Sequence, residues 1–71
     1  MSGDLPPTVR LANDIAAQFV HRRDSDAAVQ EIAGHVRSFW EPRMITELLA
    51  AVDGGAPALD PLALRAARLL R

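Results

Sequence analysis

Asp24-Ser25-Asp26-Ala27-Ala28-Val29-Gln30-Glu31-Ile32-Ala33-Gly34-His35-Val36-Arg37-Ser38-Phe39-Trp40 is the stretch whose reading decides the fold. Asp24, Ser25 and Asp26 form a cap-like cluster followed by a negative first turn, the favoured way to open a helix. Val29, Ile32, Ala33, Val36, Phe39 and Trp40 then fall on one side at about 100° per residue, within an arc of roughly 120°. That periodicity predicts an amphipathic helix with a buried face, and both aromatic residues are expected in the core. Gly34 lies on the polar side, where it costs on the order of 1 kcal/mol against alanine.

The same pattern extends to both flanks. Upstream, Pro6 and Pro7 stand where proline is tolerated, at a helix start. Leu11, Ile15 and Phe19 recur every four residues beside Ala12 and Ala16, which predicts a helix from Thr8 to about Arg22. Downstream, Glu41-Pro42 breaks the periodicity, because the residue before proline is pushed away from helical geometry. Pro42 can open a third helix lined by Met44, Ile45, Leu48, Leu49 and Val52, stopped by Asp53-Gly54-Gly55. Ala56 to Leu59 reads as a short loop. Asp60-Pro61 repeats the start signal, and a fourth helix to about Leu70 is expected to bury Leu62, Ala66, Leu69 and Leu70. The fold class is therefore all-α, a small single domain of three to four short helices. Residues 1–7 read as a flexible N-terminal lead-in and 8–71 as the helical domain.

With 71 residues and no cysteine, the chain must hold a small core without disulfides. The missing cysteines also exclude thiolate zinc sites, iron–sulfur ligation and thiol catalysis. A partner surface is the expected remaining source of stability. The net charge of −1 and pI near 6.0 do not suit nucleic acid or an anionic membrane. Met1 to Pro7 carries neither a basic region nor an apolar run, and no stretch approaches the roughly 20 apolar residues of a membrane span. A cytoplasmic protein is expected.

Candidate chemistry is sparse. His21 and His35 fall on different predicted helices with no ligand spacing between them, and His35 sits at the edge of the apolar arc. Gly54-Gly55 lacks the strand, the further glycines and the lysine of a phosphate loop. Ser25 belongs to a cap, and neither it nor Ser38 has the context of a nucleophile. Arg65, Arg68 and Arg71 step along the last helix, where cations complement the helix dipole and solubilise the surface. Arg10/Asp14, Arg37/Glu41 and Arg43/Glu47 stand at i, i+4 in the weaker order. No catalytic, cofactor-binding or metal-binding residue is expected.

Phe39-Trp40-Glu41-Pro42-Arg43-Met44 concentrates apolar area, a forced bend and a bidentate donor in six residues. Tryptophan and arginine dominate interface hot spots, so this corner reads both as a helical hinge and as a contact surface. Arg43, at about 260° around the third helix, is expected to point away from Met44, Leu48 and Val52.

This corner and its flanks resemble the delta subunit of cytoplasmic, NAD-linked, molybdenum- or tungsten-containing formate dehydrogenases. The matching stretches are Val9-Arg10-Leu11-Ala12-Asn13 with Ile15 and Phe19, Ile32-Ala33 with His35 and Val36, and Phe39 to Met44. Leu48-Leu49-Ala50, the glycine pair and Leu59-Asp60-Pro61-Leu62 follow, so the likeness covers roughly positions 9–64. Glu41 stands where that family usually has aspartate, a better helix cap. The resemblance implies a non-catalytic accessory subunit supporting assembly, cofactor insertion or stability of the large catalytic subunit. It also implies that partner subunits, not this chain, carry bis-molybdopterin guanine dinucleotide, iron–sulfur clusters, FMN and NAD. Candidate partner-binding residues are Trp40, Pro42, Arg43 and Met44 at the corner, with Arg10, Asn13 and His35. The expected partners are the large subunit and its assembly factors, with no nucleic acid or membrane, and the isolated chain could form a homo-oligomer. The competing reading is a free-standing helical interaction or regulatory protein, with DNA binding through a helix-turn-helix-like arrangement as one form of it. Its weakness is the absence of a basic recognition helix.

Overall fold

The two carboxylates that flank proline or serine at predicted helix starts do the capping expected of them. In a computed structural model that describes residues 6–55 and 58–71, Asp24 Oδ1 accepts from the Ala27 N–H at 3.1 Å and Asp60 Oδ1 accepts from the Leu62 N–H at 2.8 Å. Four helices result: α1 (Pro7–Ala17), α2 (Ser25–Phe39), α3 (Pro42–Asp53) and α4 (Pro61–Leu69). Pro7, Pro42 and Pro61 each occupy a first helical position, where the missing N–H costs nothing. Glu41, in contrast, makes no side-chain cap. Gly55 takes φ +76° just beyond α3, a left-handed conformation that accounts for a glycine there. Among the described residues there is no strand, so the class is all-α. Of the expected lead-in and α3–α4 loop, residues 1–5 and 56–57 lie outside the described residues.

α4 is the centre of the packing. It lies against α1, α2 and α3, while α1 also packs on α3. Its inward residues are Ala63, Ala66 and Ala67, whose small side chains let neighbouring helices approach closely. Val9, Ala12 and Ala16 of α1, Val29, Ile32 and Ala33 of α2, Leu48 of α3 and Leu59 complete the same core. Polar ties fasten the periphery of α4. Arg65 pairs with Asp26 and reaches Ser25 Oγ at 3.4 Å, Arg71 pairs with Asp53, and Arg37 donates to the Leu69 carbonyl. Two arginines of the expected solvent-facing stripe thus bind α4 to α2 and α3, although exposed pairs of this kind contribute at most about 1 kcal/mol each.

Several expectations are corrected. α1 ends at Ala17, not near Arg22. Beyond it Gln18, Phe19 and Arg22 donate to carbonyls three residues back, at 3.0, 2.9 and 3.0 Å. These tight turns redirect the chain toward α2 yet keep Phe19 packed on the core, which is why the apolar period outlasts the helix. Arg22 covers the Phe19 ring at 4.9 Å and pairs with Glu31 at 2.9 Å. Leu11 and Leu69, expected inside, are exposed at 43% and 37%. Both stand at the margin of a stripe whose centre is already filled by alanines. Arg37 bonds Leu69 in preference to Glu41, and Arg43 meets Glu47 only at 3.8 Å.

Candidate partner-binding surface

The corner between α2 and α3 is made by two residues in extended conformation. Trp40 (φ −87°, ψ 145°) and Glu41 (φ −70°, ψ 148°) carry the chain from the last residue of α2 to Pro42. Trp40 is half-buried and packs against the core, as do Leu49 and Val52 of the following helix. Met44 is also half-buried, whereas Pro42 is exposed. Arg43 projects outward with its side chain 82% exposed, as its helical angle predicted.

Phe39 contradicts its expected place in the core: it is 75% exposed. The reason is the unequal length of the packed helices. α2 has 15 residues and α4 only 9, about 22 Å against about 13 Å at 1.5 Å per residue. Leu69, the last residue of α4, borders one cleft with Asp26, Val29 and Gln30 in the first half of α2, and the long Arg37 side chain reaches back to its carbonyl. Phe39 lies past that point, in angular line with the buried stripe but with no α4 beneath it. The imidazole of His35, one turn earlier, stacks on it instead, with ring centroids 4.8 Å apart and planes at 38°. His35 is itself exposed. The sequence contained one signal for this, since Phe39 immediately precedes the break at Glu41-Pro42.

Asn13 has a different task from the other candidates. Its Nδ2 donates to the Ala58 carbonyl at 2.9 Å, and its Oδ1 accepts from the Asp60 N–H at 2.7 Å. One amide therefore latches the approach to α4 onto α1, next to the Asp60 cap. Asn13→Ala would leave the part-buried Asp60 N–H without its acceptor and should lower stability by about 1–3 kcal/mol. Asn13→Asp restores that acceptor but not the donor, and sets a second carboxylate near Asp60. Urea denaturation of both variants should show a reduced midpoint in each, with the slope unchanged. Arg10 is exposed on α1, beside Pro7, Leu11 and Asp14, and does not belong to the corner. The structure thus gathers His35, Phe39, Trp40, Pro42, Arg43 and Met44 at one end of α2 and the start of α3.

Among the described residues no three His, Asp or Glu side chains are grouped to hold a metal, and no helix is long and apolar enough to cross a membrane. A family model described as FdsD, the NADH-dependent formate dehydrogenase delta subunit, matches residues 8–67. The chain belongs to that family. The match begins at the second residue of α1 and ends two residues before the end of α4, so the delta-subunit family is represented here by all four helices. It also includes the whole α2–α3 corner. No curated protein and no solved structure was found to match the chain.

Proposed function

We propose that this chain is a non-catalytic accessory subunit of a cytoplasmic NAD-dependent formate dehydrogenase complex. Its role in this reading is to support assembly, cofactor insertion or stability of the large catalytic subunit. The observation that carries it is the delta-subunit family match across nearly the whole folded unit. The residues present do not fit the metal or iron–sulfur groups of such a complex. The chain has no cysteine, and the described residues group no other metal ligands. In this proposal the molybdopterin, iron–sulfur, FMN and NAD groups belong to partner subunits, and this chain contributes surface.

The test is to purify the formate dehydrogenase from its host with and without this chain. Loss of the chain should lower formate-dependent NAD reduction and the molybdenum or tungsten content per large subunit. Equal activity, metal content and thermal stability in the two preparations would refute the assembly role. Formate oxidation by the purified chain alone would refute the non-catalytic reading.

A further inference from the structure

We infer that the cleft between α2 and α4 is a docking site for an acidic segment of the partner subunit. That segment sets one carboxylate on Arg68 and lays a neighbouring apolar side chain on Val29 and Leu69. The inference rests on the subunit reading above and adds the binding site and the chemistry it selects.

The cleft has a volume of about 430 Å³ and is lined by Asp26, Val29 and Gln30 of α2 and by Arg65, Arg68 and Leu69 of α4. Its walls follow from helical spacing, since residues three and four positions apart share a face. Val29 forms a buried floor, while Leu69 stays partly uncovered at the lip. The three arginines along α4 have unequal partners. Arg65 is answered by Asp26, and Arg71 by Asp53. Arg68, between them, is exposed and pairs with no carboxylate among the described residues. At the rim, Arg37 spends its bond on the neutral carbonyl of Leu69. A guanidinium presents its charge in a planar fork that fits a carboxylate through two parallel bonds.

Local charge selects the occupant. Asp26, Arg37, Arg65 and Arg68 give the cleft and its rim a net charge of +2, on a chain whose total is −1. Asp24, whose carboxylate caps α2, brings the sum to +1 if it is included, and the flanking Arg22–Glu31 and Arg71–Asp53 pairs are neutral. The cleft therefore attracts an anion. Its shallowness selects a segment over a small molecule. The Arg65 side chain is 44% exposed and Leu69 37%, so these walls cannot enclose a ligand to the roughly 70–90% that a small-molecule pocket buries. A nucleic acid needs several phosphate contacts along a basic stripe, and here the arginines on either side of Arg68 are already neutralised. Two copies joined about a twofold axis through this face would set cationic clefts against each other. A partner segment that carries an acidic and an apolar residue together suits both the charge and the floor. By covering the cleft it also excludes water from the Arg68 bond, which strengthens it.

The experiment measures binding of the tagged full-length chain to formate dehydrogenase purified from a host strain lacking it, at low and at high ionic strength. Arg68→Ala should weaken binding by about 10-fold and Arg68→Glu by about 30-fold or more, the range of interface hot spots. Gln30→Glu adds a carboxylate to the cleft at almost unchanged shape and should weaken binding as well. All three side chains replaced are exposed, so the variants should keep the helical spectrum of the wild type. The gap between wild type and Arg68→Glu should narrow as salt rises, because salt screens the attraction. Arg23→Ala removes an exposed arginine that does not line the cleft and should bind normally. Wild-type binding by Arg68→Glu would overturn the docking site while leaving the subunit reading intact. Failure of the unmodified chain to bind would overturn both. Equal weakening by Arg23→Ala would show general electrostatic adhesion and sink the proposal. Arg68-dependent self-association in sedimentation, or Arg68-dependent binding of a DNA oligonucleotide, would reassign the cleft and overturn it too.

Discussion

Leu48→Ala is expected to leave the isolated chain largely unfolded near physiological temperature. Leu48 is the only side chain of α3 that is fully buried, at 1% exposure, while Met44, Ile45, Leu49 and Val52 are half-buried. It joins α3 to the core built by α1 and α4. Truncating a buried leucine to alanine costs about 2–5 kcal/mol, the transfer of the lost atoms plus the cavity that remains. Typical stabilities of about 0.05–0.15 kcal/mol per residue give a chain of this length roughly 4–11 kcal/mol in all. The substitution therefore removes about a fifth of the total at the least and as much as all of it, with no disulfide to hold the rest. Thermal unfolding followed by circular dichroism should show a fall in midpoint of about 8 °C or more, given about 4–8 °C per kcal/mol for small domains. A shift under about 4 °C would mean that α3 is fastened mainly by its half-buried residues.

Ala67→Leu should be comparably damaging for the opposite reason. Ala67 is 0% exposed on the helix that touches the other three, and Ala33 of α2 is equally buried. Three added carbons have no space between α4 and its neighbours. Overpacking of this kind costs about 1–3 kcal/mol and occasionally more. Here the strain would fall on the ties that hold α4, Arg65 to Asp26 and Arg71 to Asp53. The expected outcome is a lower melting temperature, increased binding of a hydrophobic dye and retained far-ultraviolet helicity. Unchanged stability would show that α4 can slide outward without loss. Ala67→Ser, close to alanine in volume, should be milder in packing but buries a hydroxyl, so it separates steric from polar cost.

The helical class, the proline starts, the Asp24 and Asp60 caps and the stop at Gly55 were legible because each depends on residues within one turn of one another. The α2–α3 corner was legible for the same reason: proline after Glu41 restricts the backbone whatever packs around it. Burial was legible at Val29, Ile32, Ala33, Val36, Leu48 and Ala66. It was not legible for Leu11 and Leu69, at the margins of their stripes, nor for Phe39, past the end of the helix it would face. The amide of Asn13 looked like a candidate contact residue because its partners, Ala58 and Asp60, lie more than forty positions away. Arg37 offered a partner four residues on, and the structure gave it the end of another helix.

The division has a physical cause. Local sterics, capping and periodicity act through the covalent neighbourhood, so the sequence alone determined where helices start, where they stop and which side of each is apolar. It also determined that thiol chemistry is absent, since no cysteine is encoded. Periodicity assigns a side chain an angle around its helix, but no position along the neighbour it faces. Only the tertiary structure decided that α4 stops short of the end of α2, and so turned Phe39 from a core residue into an exposed one.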